Sequence, residues 1–173
     1  FTCPMGAGHV SPSLFPLVPF FCQAFTNTGT RNQSYVKMAE KIARFTGGVS
    51  LSPFSGSYFD KEADSHVFLA LQGKALDRNL GALFGIVQEF VLEFGYSDLD
   101  RLKNLLLQYQ AGMESSIVAA GHRYAISLSS RHLSMASHIN EIWHGIAQYQ
   151  TIKQIVQDIT DPKTAQPMME QLA

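Results

Sequence analysis

The chain has 173 residues, of which 46% are hydrophobic and 16% charged, and its formal net charge is −1. That length carries one domain with a sizeable core, and that balance excludes an intrinsically disordered chain. Lysine and arginine are scattered without a basic patch or run, so the composition points to no nucleic-acid partner.

Phe1-Thr2-Cys3 reads as the tail of a strand, and Pro4 to Pro12, with Gly6, Gly8 and Ser11, as a loop. The apolar run Leu14 to Phe25 reads as a first helix, capped by Ser13 with Pro16 in its first turn. Pro19 must kink that helix or delay its start. The run is too short to cross a bilayer, so no membrane partner is expected, and no basic segment precedes it as in a signal peptide. Ser34 caps a second helix with Val36, Ala39, Ile42 and Ala43 on one face, and Gly47-Gly48 ends it. Val49-Ser50-Leu51-Ser52 alternates as a half-buried strand, with Pro53 marking an edge or a turn, and Ser55 to Asp60 is a loop. His66 to Leu71 reads as a short buried strand.

After Asp77 the pattern is helical. Leu80, Leu83, Phe84, Val87 and Val91 line one face of a helix that stops near Gly95. Ser97-x-x-Asp100 has the spacing of a capping box. Leu102, Leu106, Tyr109, Met113, Ile117, Ala120, Tyr124 and Leu128 form one stripe through roughly eight turns, which Gly121 interrupts without changing its phase. Ser134 caps a final long helix whose face runs Met135, Ile139, Ile142, Trp143, Ile146, Tyr149 and Val156. Asp161-Pro162 ends it, and 163–173 reads as a tail or linker helix. Helices, then strands, then long helices imply an α+β fold, a small mixed or antiparallel sheet packed on one face by long helices. Two visible strands make a thin sheet, so further strands are expected upstream.

The tempting metal motif is His138-x-x-Glu141-x-x-His144. Its two histidines lie about 120° apart around a helix and about 9 Å apart along it. They cannot share one zinc at about 2.0–2.1 Å, so the segment reads as a polar flank beside Trp143. No Gly-x-Ser-x-Gly elbow occurs, and Gly6-Ala7-Gly8-His9 lacks the spacing of a phosphate loop. Cys22 lies inside Phe20-Phe21-Cys22 and reads as a buried small hydrophobe. Two cysteines, Cys3 and Cys22, suit a reducing compartment.

Gly29-Thr30 closes the first helix, and Gly47-Gly48-Val49-Ser50 closes the second. This layout resembles the zinc-binding unit of the pitrilysin and insulysin peptidases, the inverzincins, and especially their presequence-protease branch. In an active domain of that family, His-x-x-Glu-His begins nine residues before the glycine of the turn. Counting back nine from Gly29 lands on Phe20, so the two histidine positions hold Phe20 and Ala24 and the glutamate position holds Gln23. Ser115-Ser116 and Gly121-His122-Arg123-Tyr124-Ala125 resemble a second segment of the same branch, found in its half without zinc. Either His122 or Arg123 faces a peptide chamber there, or Gly121 permits close helix packing and His122 bonds to backbone.

The resemblance covers about Ser13 to about Val156 and is nearest to the third of the family's four homologous domains. It implies one inactive peptidase-like domain over residues 1–173, a fragment of a longer multidomain chain. No catalytic or metal-binding residue is expected here, and no substrate contact can be carried over. Zinc is expected in another domain, and the partners are other domains of the same polypeptide and a peptide substrate of the parent enzyme. Self-association of the fragment follows if surfaces made for other domains are left open. The compartment implied is a bacterial cytoplasm or an organelle matrix. The competing reading is a non-enzymatic structural or binding module, since core subunits of the respiratory cytochrome complex keep this fold without protease activity.

Overall fold

The computed structural model describes residues 1–57, 65–95 and 98–160. Three strands, β1 (Thr2–Gly6), β2 (Val49–Ser57) and β3 (Ser65–Gly73), form one sheet in the order β1-β3-β2. Both pairings are antiparallel, and with the helices below they make the fold α+β. All three strands run longer than the sequence suggests, and β3 extends beyond His66 to Leu71 at both ends. β1 continues past Cys3 through Pro4, and β2 continues past Pro53 to Ser57, where a loop was expected. Both strands are sheet edges. An edge strand turns alternate N–H groups away from its neighbour, so a proline at such a position removes no ladder bond. Residues 58–60 of the expected loop lie outside the described residues.

A 3₁₀ turn over Phe15–Leu17 leads into α1 (Val18–Phe25). Pro19 sits in the first turn of α1, so it delays the helix rather than kinking it. Ser13 caps nothing, because its hydroxyl meets that of Ser11 at 3.0 Å. Ser34 holds the extended N-cap position of α2 (Tyr35–Phe45), though its side chain makes no capping bond. Lys41 of α2 pairs with Glu89 of α3 (Leu80–Leu92) at 2.8 Å. Next come α4 (Leu99–Ser130), α5 (Met135–His144) and α6 (Ile146–Thr160). Ser97 lies outside the described residues. The cap of α4 is Asp98, whose carboxylate accepts from the Arg101 N–H at 2.9 Å. Ser134 does cap α5, accepting from Ser137 N–H at 3.1 Å. Asp161-Pro162 and 163–173 also lie outside the described residues.

Three helical readings are corrected. In α3 the buried residues are Leu83, Ile86 and Phe90, while Leu80, Phe84 and Val91 are exposed. This helix is apolar all round, so periodicity alone cannot choose its inner face. In α4 the stripe is buried only as far as Met113, and Ala120 leaves helical geometry at φ −136° and ψ 36°. The expected final helix breaks at Gly145, which is extended and separates α5 from α6. Restarting after the break turns α6 to a different face: Gln148, Ile152, Val156 and Ile159 are buried, not Ile146 and Tyr149.

Two apolar clusters build the core, and α1 supplies residues to both. Val18, Cys22 and Phe25 join Leu51 and Leu71 of the sheet, Met38 of α2, Leu83 and Phe90 of α3, and Trp143 of α5. Phe20 and Ala24 face the other way, into Leu102, Leu106 and Met113 of α4 and Ile152 and Val156 of α6. The i, i+4 spacing of Phe20 and Ala24 puts them one turn apart on a single helix face. The Trp143 indole donates to the Phe15 carbonyl at 2.9 Å, which fastens α5 to the entry of α1.

Candidate functional site

The turn after α1 is fixed by a close backbone approach. A Cβ at Gly29 would collide with the Gln33 carbonyl and stand 3.0 Å from the Tyr35 nitrogen, so only glycine fits. The nine-residue count from Gly29 to Phe20 is therefore anchored to a feature the fold requires. Phe20 is 4% exposed and Ala24 0%, and the Phe20 ring lies 5.7 Å from that of Tyr109. Neither side chain has a donor atom for a metal, and the space between them is packed with hydrocarbon. The residues at this position do not fit zinc. Among the described residues, no group of three or more His, Cys, Asp and Glu side chains could hold a metal ion.

Glu141, the centre of the histidine-flanked motif on α5, is 2% exposed and has a structural task. Its carboxylate accepts from the Ser127 hydroxyl at 2.5 Å and from the Ala147 N–H at 3.3 Å. The second bond satisfies a free N–H in the first turn of α6, a favourable place for negative charge. The carboxylate also occupies the space a Cβ would need at Gly145. His138 and His144 both stay open to solvent on either side of it.

Gln23, alone of the three motif positions, is exposed, and it lines a groove of about 790 Å³ between α1, α4, α5 and α6. The other walls include Tyr109 and Arg123 of α4, Asn140 and His144 of α5, and Gln148 of α6. Burial pushes the Tyr109 phenol up to about 12, partly offset by the approach of the Gln148 amide. That approach does not close a hydrogen bond of good geometry. Gln148 is 1% exposed, and its Nε2 has no hydrogen-bond partner among the described residues. Desolvation of the ring lowers the His144 pKa and so favours the neutral imidazole, although over a third of the residue is open to solvent.

Arg123 and Tyr124 reach this groove, but Gly121 and His122 behave differently. A Cβ at Gly121 would meet nothing within 4 Å, so close helix packing does not explain the glycine. His122 is exposed and makes no hydrogen bond among the described residues. Tyr124 donates to the Ser116 hydroxyl at 3.0 Å and lines the groove. Cys22 is 3% exposed, and burial raises its thiol pKa to about 12, far from a thiolate nucleophile. Sequence reasoning missed Gln148 and the structural role of Glu141. Gln148 was findable in principle, as the one polar member of the i, i+4 row Gln148, Ile152, Val156.

The chain is thus a two-core α+β unit whose first helix packs Phe20 and Ala24 into its second core cluster. The family model for the region associated with M16 peptidases of subfamily C matches residues 1–155. The chain belongs to that family, within the pitrilysin-type M16 metallopeptidases. Among its relatives is the mitochondrial presequence protease of Schizosaccharomyces pombe, 28% identical over 160 residues, which are 92% of this chain and 16% of that protein. The mitochondrial presequence protease of Xenopus tropicalis is 31% identical over 147 residues, 83% of this chain and 14% of its own length. Presequence protease 1 of Arabidopsis thaliana, chloroplastic and mitochondrial, is 29% identical over 140 residues, 81% of this chain and 13% of its own. The chain thus spans 13–16% of the length of these relatives.

Proposed function

We propose that this chain is a non-catalytic domain, of the third-domain type, that forms part of the wall of the peptide chamber in a presequence-protease-like zinc metallopeptidase. The observation that carries this reading is the packing of Phe20 and Ala24 into the core at the two histidine positions. A domain that has turned its ligand face into hydrocarbon contributes surface and shape rather than chemistry. Zinc and the general base then belong to another domain of the same polypeptide, and unfolded peptides are the substrates. The relatives' names, mitochondrial and chloroplastic, favour an organelle matrix over a bacterial cytoplasm. No helix among the described residues is long and apolar enough to cross a membrane.

The test is made on the longer protein. Its coding sequence is expected to hold His-x-x-Glu-His upstream of this domain, and its hydrolysis of an unfolded peptide is expected to stop with a chelator and after removal of this domain. A longer protein without that motif, or one whose hydrolysis is indifferent to this domain, would instead support the non-enzymatic module.

A further inference from the structure

We infer that the groove beside Gln23 is a second peptide-holding site, which binds an extended polypeptide through its main-chain amides. The inference deepens the chamber-wall reading and rests on it. Gln23, Gln108, Asn140 and Gln148 bring four carboxamides to the groove walls. A carboxamide both donates and accepts, as a peptide group does, so such a set pairs with an extended backbone whatever its side chains. Gln148 gives the sharpest indication. It is 1% exposed, it lines the groove, and beyond its loose approach to Tyr109 its Nε2 finds no hydrogen-bond partner among the described residues. A buried donor left unpaired is costly, and a backbone carbonyl entering the groove would remove that cost.

The charge of the walls narrows the occupant. Among the described residues, no aspartate or glutamate lines the groove, and Arg123 is the one permanently charged residue there. One guanidinium is too little for a nucleic acid backbone, which is held by several cations. It does suit a single carboxylate, a C-terminus or an acidic side chain, on a mostly neutral peptide. Tyr109 and Met113 also line the groove and add apolar area for side chains.

The experiment is calorimetric titration of the 173-residue chain with a short, unstructured peptide of serine, alanine and leucine, acetylated and amidated. Binding is expected to weaken about fivefold with Gln23→Ala and with Gln148→Leu, the loss of roughly one hydrogen bond each. Gln148→Leu removes an unpaired buried amide, so its melting temperature should hold or rise while binding falls, which separates a lost site from a lost fold. Gln157→Ala, on an exposed position outside the groove, should change nothing. The same peptide with a free carboxylate should bind more tightly, and Arg123→Gln should abolish that difference. Absence of binding, binding unaltered by both glutamine variants, or binding of maltohexaose in place of the peptide would overturn the inference. If the peptide fails to bind while the longer protein still needs this domain for hydrolysis, the groove inference falls and the chamber-wall reading stands.

Discussion

The ring of Phe20 rests against that of Tyr109, with centroids 5.7 Å apart, and so joins α1 to α4. One contact therefore serves both as core and as a wall of the groove, because Tyr109 continues from it to the groove surface.

Rebuilding the motif should accordingly cost stability without restoring activity. The triple variant Phe20→His, Gln23→Glu, Ala24→His puts two imidazoles into an apolar core and overfills the Ala24 site. We expect a loss of about 3 kcal/mol or more, read as a lower urea midpoint. A further ligand, an open position and oriented partners would still be missing. A variant of undiminished stability that cleaves peptides would contradict this.

Glu141 should matter to the fold and not to metal binding. Glu141→Ala leaves the Ala147 N–H and the Ser127 hydroxyl without their shared acceptor, which we expect to cost about 1–3 kcal/mol in urea unfolding. Gly145→Ala should also destabilise, since its Cβ would displace the same carboxylate. If both variants unfold like the parent, the break between α5 and α6 has another cause.

The two cysteines should separate cleanly in a thiol-modification assay. Cys3 is exposed, whereas burial raises the Cys22 thiol to about 12. One thiol per chain should react quickly at neutral pH and the second only in denaturant. Two fast thiols would mean that α1 is not packed as described.

Alkaline pH should weaken the fold through Tyr109. Its phenol is raised by burial from 10.0 to about 12, so the unfolded chain loses that proton first. Between those values the native state holds more protons, and stability falls as pH rises. The contribution is complete below the unfolded value and lost as pH passes the folded one. Urea midpoints at about pH 9 and about pH 11 should differ more for the parent than for Tyr109→Phe. Equal differences would remove Tyr109 as the cause.

The secondary structure was largely legible in the sequence, and the inner faces were not. Ser134 capped α5 as its hydroxyl and position suggested, and His66 to Leu71 lay inside β3, because capping and strand signals are local. The face of α3 was misread because Leu80, Phe84 and Val91 are as apolar as Leu83, Ile86 and Phe90. The break at Gly145 depends on a carboxylate held by Ser127, a tertiary relation that no window of sequence contains. The groove was invisible for the same reason, since α1, α4, α5 and α6 meet only after folding.

The exposed face of α3 carries a further expectation. Leu80, Phe84 and Val91 follow helical spacing and are 43%, 53% and 51% exposed. Such a stripe is expected to self-associate when nothing covers it. Light scattering over a dilution series should show association that Phe84→Asp reduces. A strict monomer at high concentration, without dye binding to apolar surface, would argue that this stripe is tolerated in water.

The central claim is that this domain is catalytically silent because its motif face has become core. Metal analysis of the purified chain, paired with a peptidase assay with and without chelator, tests it most directly. The account predicts no stoichiometric zinc and no chelator-sensitive hydrolysis. One tightly held zinc per chain, with hydrolysis that the chelator abolishes, would contradict it.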